Sequence, residues 1–542
     1  MLLQTSAHHL TASLSSSLSY SRPLPSKIPS LTLPRSVNYH RLTISSSSIS
    51  QAHNYGTVDY ERRPIVKWNA IYRKISLLAD DPESNSSSVL NQWEKEGKKL
   101  SKWELCRVVK ELRKFKRYAR ALEVYDWMIN RAERFRFSSS DAAIQLDLVA
   151  KVRGVSSAEN YFLSLPDTLK DRRIYGALLN AYVRAKMQEK AESLLDKMRS
   201  KGHALHSLPF NVMMTLYMNL KEYEKVESII SEMMEKNIQL DIYSYNIWLS
   251  SRGSQGSAER MEQVFEQMKL DRTVNPNWTT FSTMSTMYIK MGLFEKAEAC
   301  LKKVESRITG RDRIPYHYLL SLYGSVGNKD EIYRVWNVYK SSFPSIPNLG
   351  YHAIIASLIR VGDVEGAEKM FEEWLTVKPT YDPRIANLFI VSYIEEGDFD
   401  KAQSFFDNMV EAGGKPNSST WEVLAEGHIK EERISEALSC WKEAFSAEGS
   451  KSWRPKPINV TTFLEFCEQE GDLRSKEVFL GLLRQSGHLK NKSYALLLGL
   501  SDEDSSDNEL SLEKDRTDDN QDSDEKSDDG SDMLLNQLQS TL

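Results

Sequence analysis

The stretch Ser207–Asp241, SLPFNVMMTLYMNLKEYEKVESIISEMMEKNIQLD, decides the fold. Phe210, Met213, Met214 and Tyr217 fall at i, i+3, i+4 and i+7, one apolar face of a helix. Pro209 lies in the opening turn, where proline is tolerated. A polar break at Lys221–Glu222 follows, and then Val226, Ile229, Ile230 and Met233 share one face of a second helix. The stretch therefore predicts a helical hairpin. Neither helix is apolar enough to stand alone, so the hairpin must be covered by neighbours.

Those neighbours are legible as copies. Aromatic residues fall at Tyr175, Phe210, Tyr245, Phe281, Tyr316 and Tyr351, spaced 35, 35, 36, 35 and 35. Glycines at Gly256, Gly292, Gly327, Gly362 and Gly397 keep the same beat, as do Met198, Met233 and Met268. A fixed period in this range marks an array of stacked units with one long binding surface instead of a single pocket. The expected fold is all-α, a right-handed α-solenoid superhelix of tandem helical hairpins with the first helices on the concave side.

The net charge of −4 averages unlike segments. Residues 501–542 hold 15 acidic and 3 basic residues, a net of −12, so the first 500 residues carry −4 + 12 = +8. Residues 1–50 contain no acid, 15 serines and only Arg22, Lys27, Arg35 and Arg41 as charges. Such a leader reads as an organellar transit peptide. Its first 21 residues lack Arg and Lys, which favours a plastid, with the mitochondrion as second choice. The expected organisation is a leader over 1–50, an N-terminal helical cap over 51–101, repeats over 102–491 and an acidic tail over 492–542. The tail is too charged and too poor in apolar residues to fold alone, and is a candidate for docking protein partners.

No apolar run is long enough to span a membrane. Cys106, Cys300, Cys440 and Cys467 are far apart and form no C-x-x-C pair, so neither a zinc ribbon nor a disulfide framework is expected. The ten histidines show no metal-ligand spacing, no glycine-rich phosphate loop occurs, and the H-x-E with P-C-x-x-C set of a zinc deaminase is missing. The reading is of a protein with no catalytic residues, no metal and no cofactor.

The openings FNVMMTLY, YNIWLSSR, FSTMSTMYIKMG and YHYLLSLYGSVG, with closings such as EKNIQLD and EAGGKPN, resemble the pentatricopeptide repeat family in its plain class. The resemblance covers roughly 102–491 as ten or eleven units, the outer ones degenerate. The clearest units start at Arg172, Ser207, Ile242, Trp278, Arg313, Asn348 and Pro383. A plant organellar subgroup is the nearest in character.

The resemblance implies single-stranded organellar RNA as the partner, one base per repeat. Base choice would lie with the fifth residue of the first helix and the last residue of the repeat. The pairs so implied are Gly176 with His206, Asn211 with Asp241, Asn246 with Asn277, Ser282 with Asp312, His317 with Pro347, His352 with Asp382, Asn387 with Asn417, and Thr461 with Asn491. Amides, hydroxyls and carboxylates suit the donor and acceptor edges of bases. By the same resemblance Asn/Asp favours U, Asn/Asn C, Ser/Asp G and Thr/Asn A. The pairs containing Gly176, His317 and His352, and the unit starting at Ser418 with Glu422, depart from the usual combinations. Leu208, Tyr243, Ile314, Leu349 and Ile458 would flank the bases. The rival reading is a protein–protein scaffold that takes a peptide in the same groove.

Overall fold

The computed structural model describes residues 66–78, 85–310, 312–377, 381–447, 450 and 453–487. The leader, the acidic tail and Asn491 lie outside the described residues. Those residues form twelve helical hairpins, and among them there is no strand.

In chain order the hairpins are α1 (Val66–Ser76) with α2 (Ser86–Lys95), α3 (Lys102–Lys114) with α4 (Tyr118–Ile129), α5 (Ser139–Arg153) with α6 (Val155–Ser164), and α7 (Arg172–Arg184) with α8 (Gln188–Ser200). Next come α9 (Ser207–Asn219) with α10 (Tyr223–Glu235), α11 (Ile242–Ser254) with α12 (Ala258–Leu270), α13 (Trp278–Lys290) with α14 (Phe294–Ser306), and α15 (Ile314–Val326) with α16 (Lys329–Ser342). The last four are α17 (Asn348–Arg360) with α18 (Val364–Val377), α19 (Pro383–Glu395) with α20 (Phe399–Glu411), α21 (Ser418–Lys430) with α22 (Ile434–Ser446), and α23 (Pro457–Gln469) with α24 (Leu473–Gln485). The molecule is thus an all-α helical repeat solenoid. No described helix is long and apolar enough to cross a membrane.

Among the described residues, the turn inside ten of the twelve hairpins holds one left-handed residue. Gly292 at φ 71° and Gly327 at φ 87° take that conformation without a Cβ penalty. The equivalent place is held by Lys116, Lys186, Lys221 and Glu432 at φ 53–61°, so the backbone bend persists where the sequence offers no glycine. The apolar stripes predicted for Ser207–Asp241 are core: Phe210, Met213, Met214, Val226, Ile230 and Met233 are buried, in one continuous cluster that runs the length of the stack.

First helices pack on the first helices of the next hairpin all along the stack, from α5 on α7 to α21 on α23. Where they approach closely, bulk is excluded. A Cβ on Gly253 would collide with Met287, and one on Gly324 would sit 2.9 Å from the Ser357 Cβ. Second helices pack chiefly on their own partner and on the following first helix. The first-helix layer is therefore the tight side of the stack.

A periodic polar clasp joins adjacent hairpins. The Tyr217 hydroxyl donates to Glu192 at 3.0 Å, and Lys225 reaches the same carboxylate at 3.0 Å. Tyr288 and Lys296 meet Glu262 at 2.8 and 2.7 Å. Tyr393 and Lys401 meet Glu368 at 2.7 and 3.3 Å. The tyrosine and lysine belong to one hairpin and the glutamate to the second helix before it, so each clasp fixes stacking register with groups that remain partly hydrated.

Candidate nucleic-acid interface

The last residue of each repeat stands immediately before the next first helix, where four backbone N–H groups lack helical partners. Asp241 Oδ1 accepts from the Ser244 N–H at 2.9 Å, and Asn417 Oδ1 from that of Thr420 at 2.9 Å, both within capping boxes. Asn277 Oδ1 accepts from the N–H groups of Thr279 and Thr280 at 2.9 and 3.2 Å. Asp312 and Asp382 accept from the N–H groups of Ile314 and Arg384 at 3.0 and 3.1 Å. Asp241, Asn277, Asp382 and Asn417 are helix caps, whereas Asp312 stands one residue before Arg313, the N-cap of α15. Capping fixes the orientation in which the first four meet their fifth-position residues.

Fifth-position side chains lie on the first-helix face beside those caps. The Asn211 amide donates to Asp241 Oδ1 at 3.0 Å, and its carbonyl oxygen accepts from the Ser244 hydroxyl at 2.7 Å. Asn387 repeats the arrangement, with Asn417 at 3.5 Å and the Thr420 hydroxyl at 2.8 Å. Asn246 donates to the Thr279 hydroxyl at 3.0 Å, which in turn donates to Asn277 at 2.6 Å. Sequence reasoning missed Ser244, Thr279 and Thr420. The pattern of Asp or Asn followed two or three residues later by Ser or Thr was the available signal.

Several polar atoms of the first helices are buried and have no partner among the described residues. They are Asn246 Oδ1, Thr280 Oγ1, Ser282 Oγ, Thr283 Oγ1 and His317 Nδ1, on α11, α13 and α15 in succession. The His206 Nδ1 and the Ser418 Oγ share that condition. Each such atom costs about 1–3 kcal/mol when left unpaired, and a native structure normally supplies a reason.

Other implied positions are closed from within. The His317 ring bonds the Tyr339 hydroxyl at 2.8 Å, and burial, with Arg313 nearby, pulls its pKa down to about 3. Burial, with Arg384 nearby, draws His352 down to about 4. Both rings are neutral at physiological pH. Asp382 is held by both ends of the Arg384 guanidinium, at 2.9 and 2.5 Å. Glu422, also at a fifth position, is 3% exposed and accepts from the Lys456 N–H at 2.6 Å, Asn459 at 3.1 Å and the Trp453 indole at 3.2 Å. Desolvation raises its pKa. Three donors from the following segment thus hold that carboxylate inside the protein.

The remaining positions are open or ordinary. A Cβ on Gly176 would meet nothing within 4 Å. Thr461 donates to the Pro457 carbonyl of its own helix at 3.0 Å. Pro347 precedes α17 without a side-chain cap. Among the flanking residues, Leu208 and Ile458 are exposed, while Tyr243, Ile314 and Leu349 are half-buried. No group of described side chains could hold a metal ion.

Comparison with known proteins places the chain in a family. The family model described as "Pentatricopeptide repeat domain" matches residues 228–291, and the one described as "PPR repeat" matches 173–203, 209–238, 279–307, 351–376 and 385–414. A pentatricopeptide repeat-containing protein of Arabidopsis thaliana is 66% identical over 502 residues, 93% of this chain and 95% of its own length. The Arabidopsis thaliana large ribosomal subunit protein mL101 (rPPR4) is 44% identical over 398 residues, 73% of this chain and 80% of its own. A mitochondrial pentatricopeptide repeat-containing protein of Arabidopsis thaliana is 34% identical over 80% of this chain and 86% of its own.

Proposed function

The chain belongs to the pentatricopeptide repeat family, and from that premise we propose that it is a non-catalytic, sequence-selective binder of single-stranded RNA in an organelle. The observation that carries the reading is the pair of unpartnered buried polar atoms at the fifth positions of α11 and α13, Asn246 Oδ1 and Ser282 Oγ. Asn246, Ser282 and their neighbours offer hydrogen bonds that nothing in the described chain uses. Unstacked bases present donor and acceptor edges that match them, whereas a duplex would hide those edges.

Selection would be uneven along the stack. Asn246 with Asn277 and Ser282 with Asp312 are the strongest selectors, because an atom of the fifth residue is free. Asn211 with Asp241 and Asn387 with Asn417 must exchange an internal hydrogen bond for one to the base. The repeats with His317, His352 and Glu422 would span a nucleotide without choosing it. Bound RNA would be shielded from nucleases or kept from pairing, and so be stabilised, processed, spliced or translated differently.

A second reading is favoured by the closed positions, since Glu422, His317 and Asp382 spend their polarity on the protein itself. Under it the solenoid is a scaffold for a protein partner, as the ribosomal name of one relative suggests for assembly into a larger particle. Fluorescence anisotropy separates the two. The RNA reading requires the protein to bind single-stranded RNA of mixed sequence and to discriminate against a duplex of the same sequence. Absence of binding at low salt hands the molecule to the scaffold reading. Fusing residues 1–50 to a fluorescent protein tests the compartment: plastid or mitochondrial signal fits the proposal, and diffuse cytosolic signal contradicts it.

A further inference from the structure

We infer that Arg113, Lys151 and Arg184, gathered around Asp147, form a binding site for a phosphate group toward the N-terminal end of the first-helix layer. Arg113 stands on α3, Asp147 and Lys151 on α5, and Arg184 on α7, the first helices of three successive hairpins. Their charged atoms lie 3.2, 3.2 and 3.6 Å from the Asp147 carboxylate. The four side chains are only 18–32% exposed. Lys151 is further held over the Tyr118 ring at 4.4 Å.

A structural ion network tends towards neutrality, because an uncompensated buried charge is expensive. Here three cations share one carboxylate, an excess of two positive charges. The Nε–H groups of Arg113 and Arg184 are buried and donate to no partner among the described residues. Burial, together with the two arginines, pulls Lys151 below the usual lysine range in spite of Asp147. The surrounding chain adds to the excess. Residues 107–120 carry seven basic residues and one acid, Glu111, which Arg107 engages at 2.9 Å. Guanidinium forks and an ammonium that converge on one point match a phosphate oxygen set, by charge and by directed N–H donors.

The site concerns the charge of a phosphate alone. Only the identity of the molecule that brings it rests on the RNA-binding reading. A phosphodiester of the bound strand and a terminal 5′-phosphate share this chemistry.

The test uses the full chain and three variants, R113Q/R184Q, R184Q and D147N. Helix content and melting are checked first by circular dichroism, and R184Q stands in if the double variant does not fold. Inorganic phosphate is expected to raise the melting temperature of the wild type above that in chloride of equal ionic strength. R113Q/R184Q should lose that shift, while D147N keeps or enlarges it. For a single-stranded oligonucleotide, R113Q/R184Q should weaken binding about tenfold and flatten the salt dependence by about 0.7 in log–log slope for each phosphate released. A loss equal for 5′-hydroxyl and 5′-phosphate oligonucleotides identifies a phosphodiester, and a loss confined to the phosphorylated one identifies the chain end. A phosphate shift without RNA binding keeps the site and removes the RNA reading. If phosphate gives no shift over chloride and the arginine variants bind RNA like the wild type, or if D147N weakens binding as they do, the cluster is only structural and the inference falls.

Discussion

Replacing Asn246 by leucine separates a binding residue from a structural one. Asn246 is 5% exposed, donates one hydrogen bond to Thr279 at 3.0 Å and carries an unpartnered carbonyl oxygen. Leucine has the same branched arrangement of side-chain heavy atoms and is somewhat larger, so no cavity opens. The lost hydrogen bond costs about 1 kcal/mol. Removal of the unpaired acceptor returns about 1–3 kcal/mol. The net effect on folding is between roughly zero and a gain of about 2 kcal/mol. RNA affinity should move the other way, with a loss on the order of tenfold, about 1.4 kcal/mol, and with selectivity lost at one base. Urea unfolding followed by circular dichroism, beside anisotropy with single-stranded RNA, measures both. An N246L protein destabilised by more than about 2 kcal/mol that binds RNA like the wild type would refute the reasoning, because Asn246 would then be part of the framework.

Further expectations follow the same chemistry. Lys221→Gly should raise stability by about 1 kcal/mol, because Lys221 holds φ 61° where glycine is at ease; an unchanged urea midpoint would count against the strain. Glu422→Ala should cost about 3 kcal/mol, since three buried donors lose their acceptor, while base preference stays as it was; a changed preference would make Glu422 a selector. Tyr288→Phe should lower stability by about 1 kcal/mol through the Glu262 clasp, and equal melting curves would show the clasp to be idle. The clasp carboxylates Glu192 and Glu262 have pKa values lowered in the fold, Glu192 by Gln188, Lys225 and Tyr217 against the opposing effect of burial, and Glu262 mainly by Lys296 and Tyr288. A depressed carboxylate contributes stability above its unfolded pKa and loses it as pH falls through the folded one. Those carboxylates remove stability below about pH 4. His317 and His352, pulled down to about 3 and about 4, already take up protons on unfolding below about pH 6.5. Melting temperature should therefore begin to fall near about pH 6.5 and continue to fall through about pH 4. A melting temperature that stays level down to about pH 4 would contradict the burial of the two neutral histidines.

The fold was legible because its signal is periodic. Phe210, Met213 and Val226 announce buried faces by spacing alone, and the copies of the hairpin repeat that spacing. The left-handed turn residue was legible at Gly292 and invisible at Lys186, where propensity yields to tertiary packing. The candidate site was legible only in part. Fifth-position residues such as Asn211 and Asn246 followed from the family resemblance, yet their hydroxyl partners come from the next repeat, 33 residues away. The closure of Glu422 depends on Trp453 and Asn459, 31 and 37 residues distant and outside any strict period. The Asp147 cluster joins two degenerate repeats to the first clear one, so only packing reveals that its charges converge.

Selection from a randomised single-stranded RNA pool, run in parallel on the wild type and on Asn246→Thr, tests the central claim most directly. The account predicts that the wild type enriches a defined sequence and that the variant shifts one position of it from C towards A. Overall affinity and salt dependence should stay nearly constant, because phosphate contacts are untouched. An unchanged preference, an equal loss for all sequences, or no enrichment by the wild type would contradict base selection by paired side chains on this face.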